Sequence, residues 1–470
     1  MRTLRIITFI CFCFVFGQET FAQLRLPNIF ADHMVLQQKQ VNPVWGKASK
    51  GEEIKVSIHD QTHHTTADKN GNWKVKLSPI NAGGPFTLSI EGNTKIEFKD
   101  VLVGEVWVCS GQSNMAMKLE GGPGQHIEGS TDAILNSSNS KIRLFTVPKT
   151  VSNIPLENCG GSWEISKPST AAKFSAVGYF FGKRLYESLD IPIGLISTNV
   201  GGTPAQAWTP NKTLKEKFPE IVNDKSKKGE TKAPSVLYNA MVNPLIPYGI
   251  KGTIWYQGEG NRWNPEQYSR LFPEMIKSWR AQWNQGNFPF YFVQIAPFGN
   301  NIKGWVGVQQ AQLKTMLTTP NTGMAVINDV GYKTRIHPPK KKEVGERLAL
   351  WALAKDYNIE GFSYSGPVFD TLELKGSKAI IRFKHAPLGL TSLGKPLDHF
   401  EIAGTDGVFH PAEAKIIEKG NALQVWSNAV AHPKNVRYGW HSFIEGCLFN
   451  VSGLPASAFS TEDWDAIFRD

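Results

Sequence analysis

Residues 104–115, GEVWVCSGQSNM, decide how the chain is read. Val103, Val106 and Val108 form a β-branched apolar run that stops at Ser110-Gly111, and Ser113 follows between Gln112 and Asn114. A buried strand with this ending delivers a nucleophile to the edge of a sheet. The strand supplies rigidity, the glycine permits a tight turn, and the backbone N–H of Ser113 is left to face a substrate oxygen. Met115 stands where a G-x-S-x-G elbow has its second glycine, so the string differs from that turn.

Working outward, the texture changes twice. From Leu24 to Phe98 apolar residues alternate with polar ones: Ile54, Val56, Ile58; Trp73, Val75, Leu77; Phe86, Leu88, Ile90. Asp68-Lys69-Asn70-Gly71 separates two such runs as a hairpin loop, and the region reads as a small β-sandwich. After residue 100, strands alternate with helices. Apolar runs at Ile193–Thr198, Ile254–Tyr256, Phe290–Ile295 and Met324–Ile327 are separated by helical patterns such as Phe174, Val177, Phe181, Leu185 and Tyr268, Phe272, Met275, Trp279. Such alternation predicts a parallel sheet covered on both faces, with ligands at the carboxyl ends of the strands. From Phe362 a β texture returns, with Leu372, Ile380, Phe383, Leu423 and Val425, and predicts a second β-sandwich. The expected boundaries are 1–22, 23–98, 99–358, 359–450 and a tail, 451–470, that packs back on a folded domain.

Arg2 and Arg5, the apolar stretch Ile6–Gly17 and Thr20-Phe21-Ala22 make a secretory signal cut after Ala22. The expectation is an exported protein, periplasmic or extracellular, without a membrane span. Removing residues 1–22 lowers the formal net charge from +10 to +9, a modest excess that implies weak attraction to anions. The lysines are scattered and accompany no nucleic-acid-binding motif. Cys109, Cys159 and Cys447 remain after cleavage and allow at most one disulfide. No CxxC, HExxH or Cys/His cluster appears, so neither a metal site nor a cofactor is expected.

Three more strand ends carry polar residues. Asn199-Val-Gly-Gly-Thr203 offers the N–H of Gly201 or Gly202. Trp255-Tyr-Gln-Gly-Glu-Gly-Asn261 sets Gln257, Glu259 and Asn261 in one turn, and Ile336-His337-Pro338 precedes a helix. A serine, a glycine N–H, a side-chain amide and a histidine on successive strand ends are what acyl transfer needs.

With these residues in view, the chain resembles the SGNH-type sialate O-acetylesterase family, related to secreted acetylxylan esterases. The matching strings are IFADHMVLQ (29–37), GEVWVCSGQSNM, GLISTNVGGTPAQAW (194–208), WYQGEGN and IHPPKKKEVGERLA (336–349). The resemblance implies a three-layer α/β/α SGNH-hydrolase domain with a parallel sheet, flanked by N- and C-terminal β-sandwich regions. It implies removal of acetyl groups from carbohydrate hydroxyls, with Ser113 as nucleophile and His337 as base. Ser113, Gly201 or Gly202, and Gln257 ahead of Asn261 would form the oxyanion hole. The aspartate such families place just before the histidine is missing here, where Thr334 and Arg335 stand. Glu259, Asp329 or no acid at all then completes the site, and Glu259 is preferred because its turn must already face the oxyanion. O-acetylated sialic acid is the favoured substrate, and Arg335 could meet its carboxylate. Acetylated xylan or another polysaccharide is the alternative. A carbohydrate-binding protein that keeps the scaffold without turnover is a third reading, to which the missing aspartate and the 14 tryptophans would lend themselves.

Overall fold

The computed structural model describes residues 23–223 and 230–468, so the expected signal peptide lies outside the described residues. Its centre is a sheet whose strands run, side by side, Thr322–Ala325, Phe290–Val293, Gly252–Tyr256, Lys95–Gly111, Ile193–Asn199, Asn139–Thr146 and Trp163–Ser166. Neighbours are parallel except for the last pair, which is antiparallel.

The apolar runs are continuous because both faces of this sheet are buried. Trp107, Cys109, Leu195, Ile254 and Tyr256 join Val177 and Phe181 of the helix Ala176–Leu189 and Val344 and Leu348 of the helix Lys341–Lys355 in one core. Their sequence neighbours Val106, Val108, Ile196, Trp255 and Phe290 point the other way. They pack with Phe272, Met275 and Trp279 of the helix Pro265–Trp283 and Val308 and Ala311 of the helix Trp305–Thr318. A strand alternates its side chains across the sheet, so the two cores are its two faces and the domain has three layers.

The strand Lys95–Gly111 does two jobs. Its first half pairs antiparallel with Gly83–Glu91 of the N-terminal region, and residues 102–104 run parallel to Val35–Gln37. Its second half is the middle of the central sheet. The boundary expected between 98 and 99 therefore falls inside one unbroken strand. The change from half-buried alternation to full burial at Val101 marks a new neighbourhood without a break in the chain. In the N-terminal region, Glu53–Ile58, Gln61–Thr66 and Gly83–Glu91 form antiparallel pairs, and Asn42–Lys47 pairs with Asn72–Leu77. Their buried alternate side chains share one core.

The C-terminal region holds one seven-stranded antiparallel sheet, from Val368–Lys375 to Phe459–Ser460, and a two-stranded ribbon. Its last residues return to the central domain. Gln294 Nε2 donates to Ser457 Oγ at 2.8 Å, Gln310 Nε2 to Ala458 O at 2.9 Å and Asn328 Nδ2 to Ala456 O at 3.0 Å. These buried bonds, each worth about 0.5–1.5 kcal/mol net, pin the tail beside the strand Phe290–Val293. Cys109, Cys159 and Cys447 are all buried and unpaired. Among the described residues no helix is long and apolar enough to cross a membrane.

Candidate active site

The site is built where the central strands end. Gly111 has φ +138°, and a Cβ there would lie 2.2 Å from Tyr256 O, so only glycine lets the chain turn against the neighbouring strand. Gln112 ties the turn down from both sides. Its N–H donates to Tyr256 O at 2.9 Å, and its Oε1 accepts from Gly260 N at 3.2 Å. Ser113 then opens the short helix Ser113–Ala116, where its N–H has no intrahelical acceptor. Gly201 sits beside it, since a Cβ at Gly201 would come within 3.4 Å of Ser113 Cβ. Gly202 has φ +69°, which lets the chain turn away immediately afterwards.

His337 Nε2 lies 2.8 Å from Ser113 Oγ. The other ring nitrogen, Nδ1, lies 3.1 Å from Gln125 Oε1. An amide oxygen accepts, so Nδ1 carries the proton and Nε2 is the acceptor facing the serine hydroxyl.

Neither acid considered from the sequence hydrogen-bonds this histidine. Asp329 is held at both oxygens by Arg347, 2.6 Å to each, which commits it to a structural ion pair. Glu259 Oε1 accepts from Asn114 Nδ2 at 2.8 Å. The same Asn114 amide donates to Ile336 O at 3.1 Å, and its Oδ1 accepts from Lys341 Nζ at 2.5 Å. The Lys341 ammonium also lies over the Tyr256 ring, 5.4 Å from its centre. Behind the Ser–His pair there is thus a buried Glu259–Asn114–Lys341 relay that grips the backbone next to His337. Burial pushes the Glu259 carboxyl up, against the pull of Asn114 and the Lys341 charge. Burial also brings Lys341 down to about 7, with the Glu259 charge opposing.

Of the two amides in the 257–261 turn, Gln257 is the more committed by its hydrogen bonds. Its Nε2 donates to Asn261 Oδ1 at 2.7 Å and to Thr203 O at 3.3 Å, which uses both of its N–H groups. Asn261 Nδ2 donates to Gln206 Oε1 at 3.0 Å and keeps a second N–H. Arg335 is exposed, with Nη1 3.1 Å from His126 Nδ1. Among the described residues no group of three or more His, Cys, Asp or Glu could hold a metal ion. A cavity of about 620 Å³ opens between the N-terminal region and the central domain, lined by Trp45 and Trp73 on one side and Glu157 and Asn243 on the other, and none of the residues above lines it.

Sequence reasoning missed Gln125, Asn114 and Lys341. Asn114 and Lys341 lie inside quoted strings, but His337 precedes the helix that Lys341 opens, so their spacing carried no helical signal. Gln125, a neutral residue in Gly121-Gly-Pro-Gly-Gln125, carried none.

Burial lowers the His337 pKa, and the Lys341 charge lowers it further. A general base must be neutral, so kcat/KM should rise with pH as His337 loses its proton. The lowered value puts that acid limb below the ordinary histidine value of 6.5. A pH–rate profile on an aryl acetate checks this, and a limb at or above 6.5 would contradict it.

A three-layer α/β domain with a serine–histidine pair at the carboxyl ends of its parallel strands defines a carboxylic ester hydrolase of the acyl-transfer kind. The carbohydrate esterase, sialic acid-specific acetylesterase family matches residues 103–353, more than half of the chain. The chain is 31% identical over 407 residues to the sialate O-acetylesterases of Homo sapiens and Pongo abelii, with 77% of this chain and 76% of each relative covered. Its fold matches the crystal structure of a carbohydrate acetylesterase from Xanthomonas citri with a TM-score of 0.86 at 38% identity. That match covers 94% of this chain and all of the other. The protein belongs to the sialic acid-specific acetylesterase family of carbohydrate esterases.

Proposed function

We propose that this protein is an exported serine esterase with an SGNH-type domain that removes O-acetyl groups from carbohydrates, with O-acetylated sialic acid the first substrate. The observation that carries the reading is the 2.8 Å contact between Ser113 Oγ and His337 Nε2 on a free strand end. Ser113 Oγ attacks the acetyl carbonyl while its proton passes to Nε2. The carbonyl oxygen becomes an oxyanion within reach of the N–H groups of Ser113 and Gly201, with Gly202 beside them, and Asn261 has an amide N–H to spare. Collapse of this intermediate expels the sugar oxygen, which takes the proton from Nε2. Water, deprotonated by the same nitrogen, then attacks the acetyl-serine and releases acetate.

A sugar needs a platform as well. Trp263, two residues past Asn261, is 70% exposed, and the Arg262 guanidinium lies over its ring at 3.7 Å. An exposed indole beside the catalytic turn suits stacking on a pyranose face. Parallel assays on O-acetylated sialic acid, acetylated xylooligosaccharide and an aryl acetate test the proposal. Release should be fastest from the sialic acid. Trp263→Ala should raise KM for the sugar by roughly tenfold and leave aryl-acetate turnover nearly unchanged. Faster release from the xylooligosaccharide would move the substrate class to acetylated plant glycans.

A further inference from the structure

The loop Gly121–Glu128 lies along the loop that carries His337. Besides the Gln125–His337 contact, His126 meets Arg335, Tyr332 Oη donates to Glu128 Oε1 at 3.1 Å, and Glu128 N donates to Pro339 O at 3.1 Å. Four contacts spaced along both segments make this a docked pair of loops, and its central contact falls on the catalytic imidazole. The position that a triad gives to a carboxylate is occupied by a neutral amide.

We propose that Gln125 is the positioning residue of the site, holding the His337 tautomer in place of a triad acid. The inference rests on the serine–histidine reading above. Gln125 Oε1 accepts from Nδ1–H, which fixes the ring plane and keeps the Nε2 lone pair on Ser113 Oγ. It performs the orienting half of a triad carboxylate's work. The other half, stabilising the imidazolium that forms when Ser113 gives up its proton, needs a negative charge that an amide lacks. The charged groups around His337 do not supply one. Lys341 stands behind it from the next helix and is repulsive, and Glu259 is turned onto Asn114. Asp329 is paired with Arg347, Glu128 is bound by Tyr332, and Arg335 and His126 face each other. The site works with a weakly basic, well-oriented imidazole, so a carboxylate placed at 125 should complete it.

The test compares wild type, Gln125→Glu and Gln125→Ala in the mature chain. It reads kcat and kcat/KM on an aryl acetate from pH 4.5 to 8, with the His337 titration followed by NMR. Glutamate keeps the length and the acceptor and adds a charge within contact distance, so the acid limb and the His337 pKa should rise together by about one unit. Alanine removes the acceptor, and kcat should fall roughly tenfold, the equivalent of about 1.4 kcal/mol of orientation. If the His337 pKa and the acid limb of Gln125→Glu coincide with wild type, or if Gln125→Ala keeps full kcat, the role of Gln125 is overturned. Ser113→Ala, assayed beside them, separates the two failures. If it still releases acetate, the serine–histidine reading falls and this inference with it; if it is dead while the Gln125 variants behave as wild type, only Gln125 is reassigned.

Discussion

Ser113→Ala should abolish acetate release, with kcat/KM falling by about 10³-fold or more, while the protein unfolds at the wild-type temperature. Removing the hydroxyl removes the attacking atom, and what remains is catalysis by binding and by the oxyanion donors. The fold should not notice. Ser113 is partly exposed at the start of a short helix, and its Oγ contacts His337 rather than filling a packed core. The backbone that places it is fixed independently by Gly111 and by the two bonds of Gln112. Matched thermal unfolding and steady-state kinetics on the two proteins check both halves. Activity within about tenfold of wild type would remove Ser113 from the mechanism. A large loss of stability would mean that the loss of activity reports folding rather than chemistry.

The sheet was legible because burial on both faces writes a strong pattern. Val106–Cys109, Ile193–Ile196 and Ile254–Tyr256 are apolar or aromatic and buried at every position, which a half-exposed strand cannot be. Ser113, Gly201 and His337 meet for the same reason, since parallel strands leave their polar residues at one edge. What the pattern hid is equally physical. The strand Lys95–Gly111 belongs to two neighbourhoods, and a change in burial along a chain looks like a domain boundary whether or not the strand stops. In the C-terminal region the seven strands follow one hydrogen-bonded path that folds over on itself, since Phe369 at one end of the order stacks on Phe459 at the other with 5.4 Å between ring centres. The partner of His337 was hidden for another reason. A carboxylate in a turn advertises itself by type, whereas Gln125 is neutral, exposed and distant in sequence, and only the docking of two loops brings it to the imidazole. Glu259 was chosen on type and turn; Asn114, adjacent to the nucleophile, decides which way it faces.

That choice gives the second large effect. Asn114→Leu should lower the stability of the esterase domain by about 3–5 kcal/mol, because it strips hydrogen bonds from the buried Glu259 Oε1 and Lys341 Nζ and from the part-buried Ile336 O at once. Breaking a buried charged network by removing one member leaves the others uncompensated, which costs far more than the net worth of the bonds. Denaturant unfolding followed by tryptophan fluorescence measures it, and a cost under about 1 kcal/mol would show that the network is not holding the site. The acids behave differently. Glu259→Gln keeps an acceptor for Asn114 and removes no hydrogen bond to Ser113 or His337, so kcat should fall less than tenfold while Lys341 loses its counter-charge and stability drops. Asp329→Asn breaks the bidentate bond to Arg347, and its effect should likewise appear in stability rather than in kcat. If Glu259 were instead the acid that supports the imidazolium, Glu259→Gln would cost roughly 10²–10⁴ in kcat with little change in unfolding. The ratio of the two effects in one variant therefore separates a carboxylate that builds the site from one that takes part in the reaction, and the bond to Asn114 is the reason to expect the first outcome for Glu259.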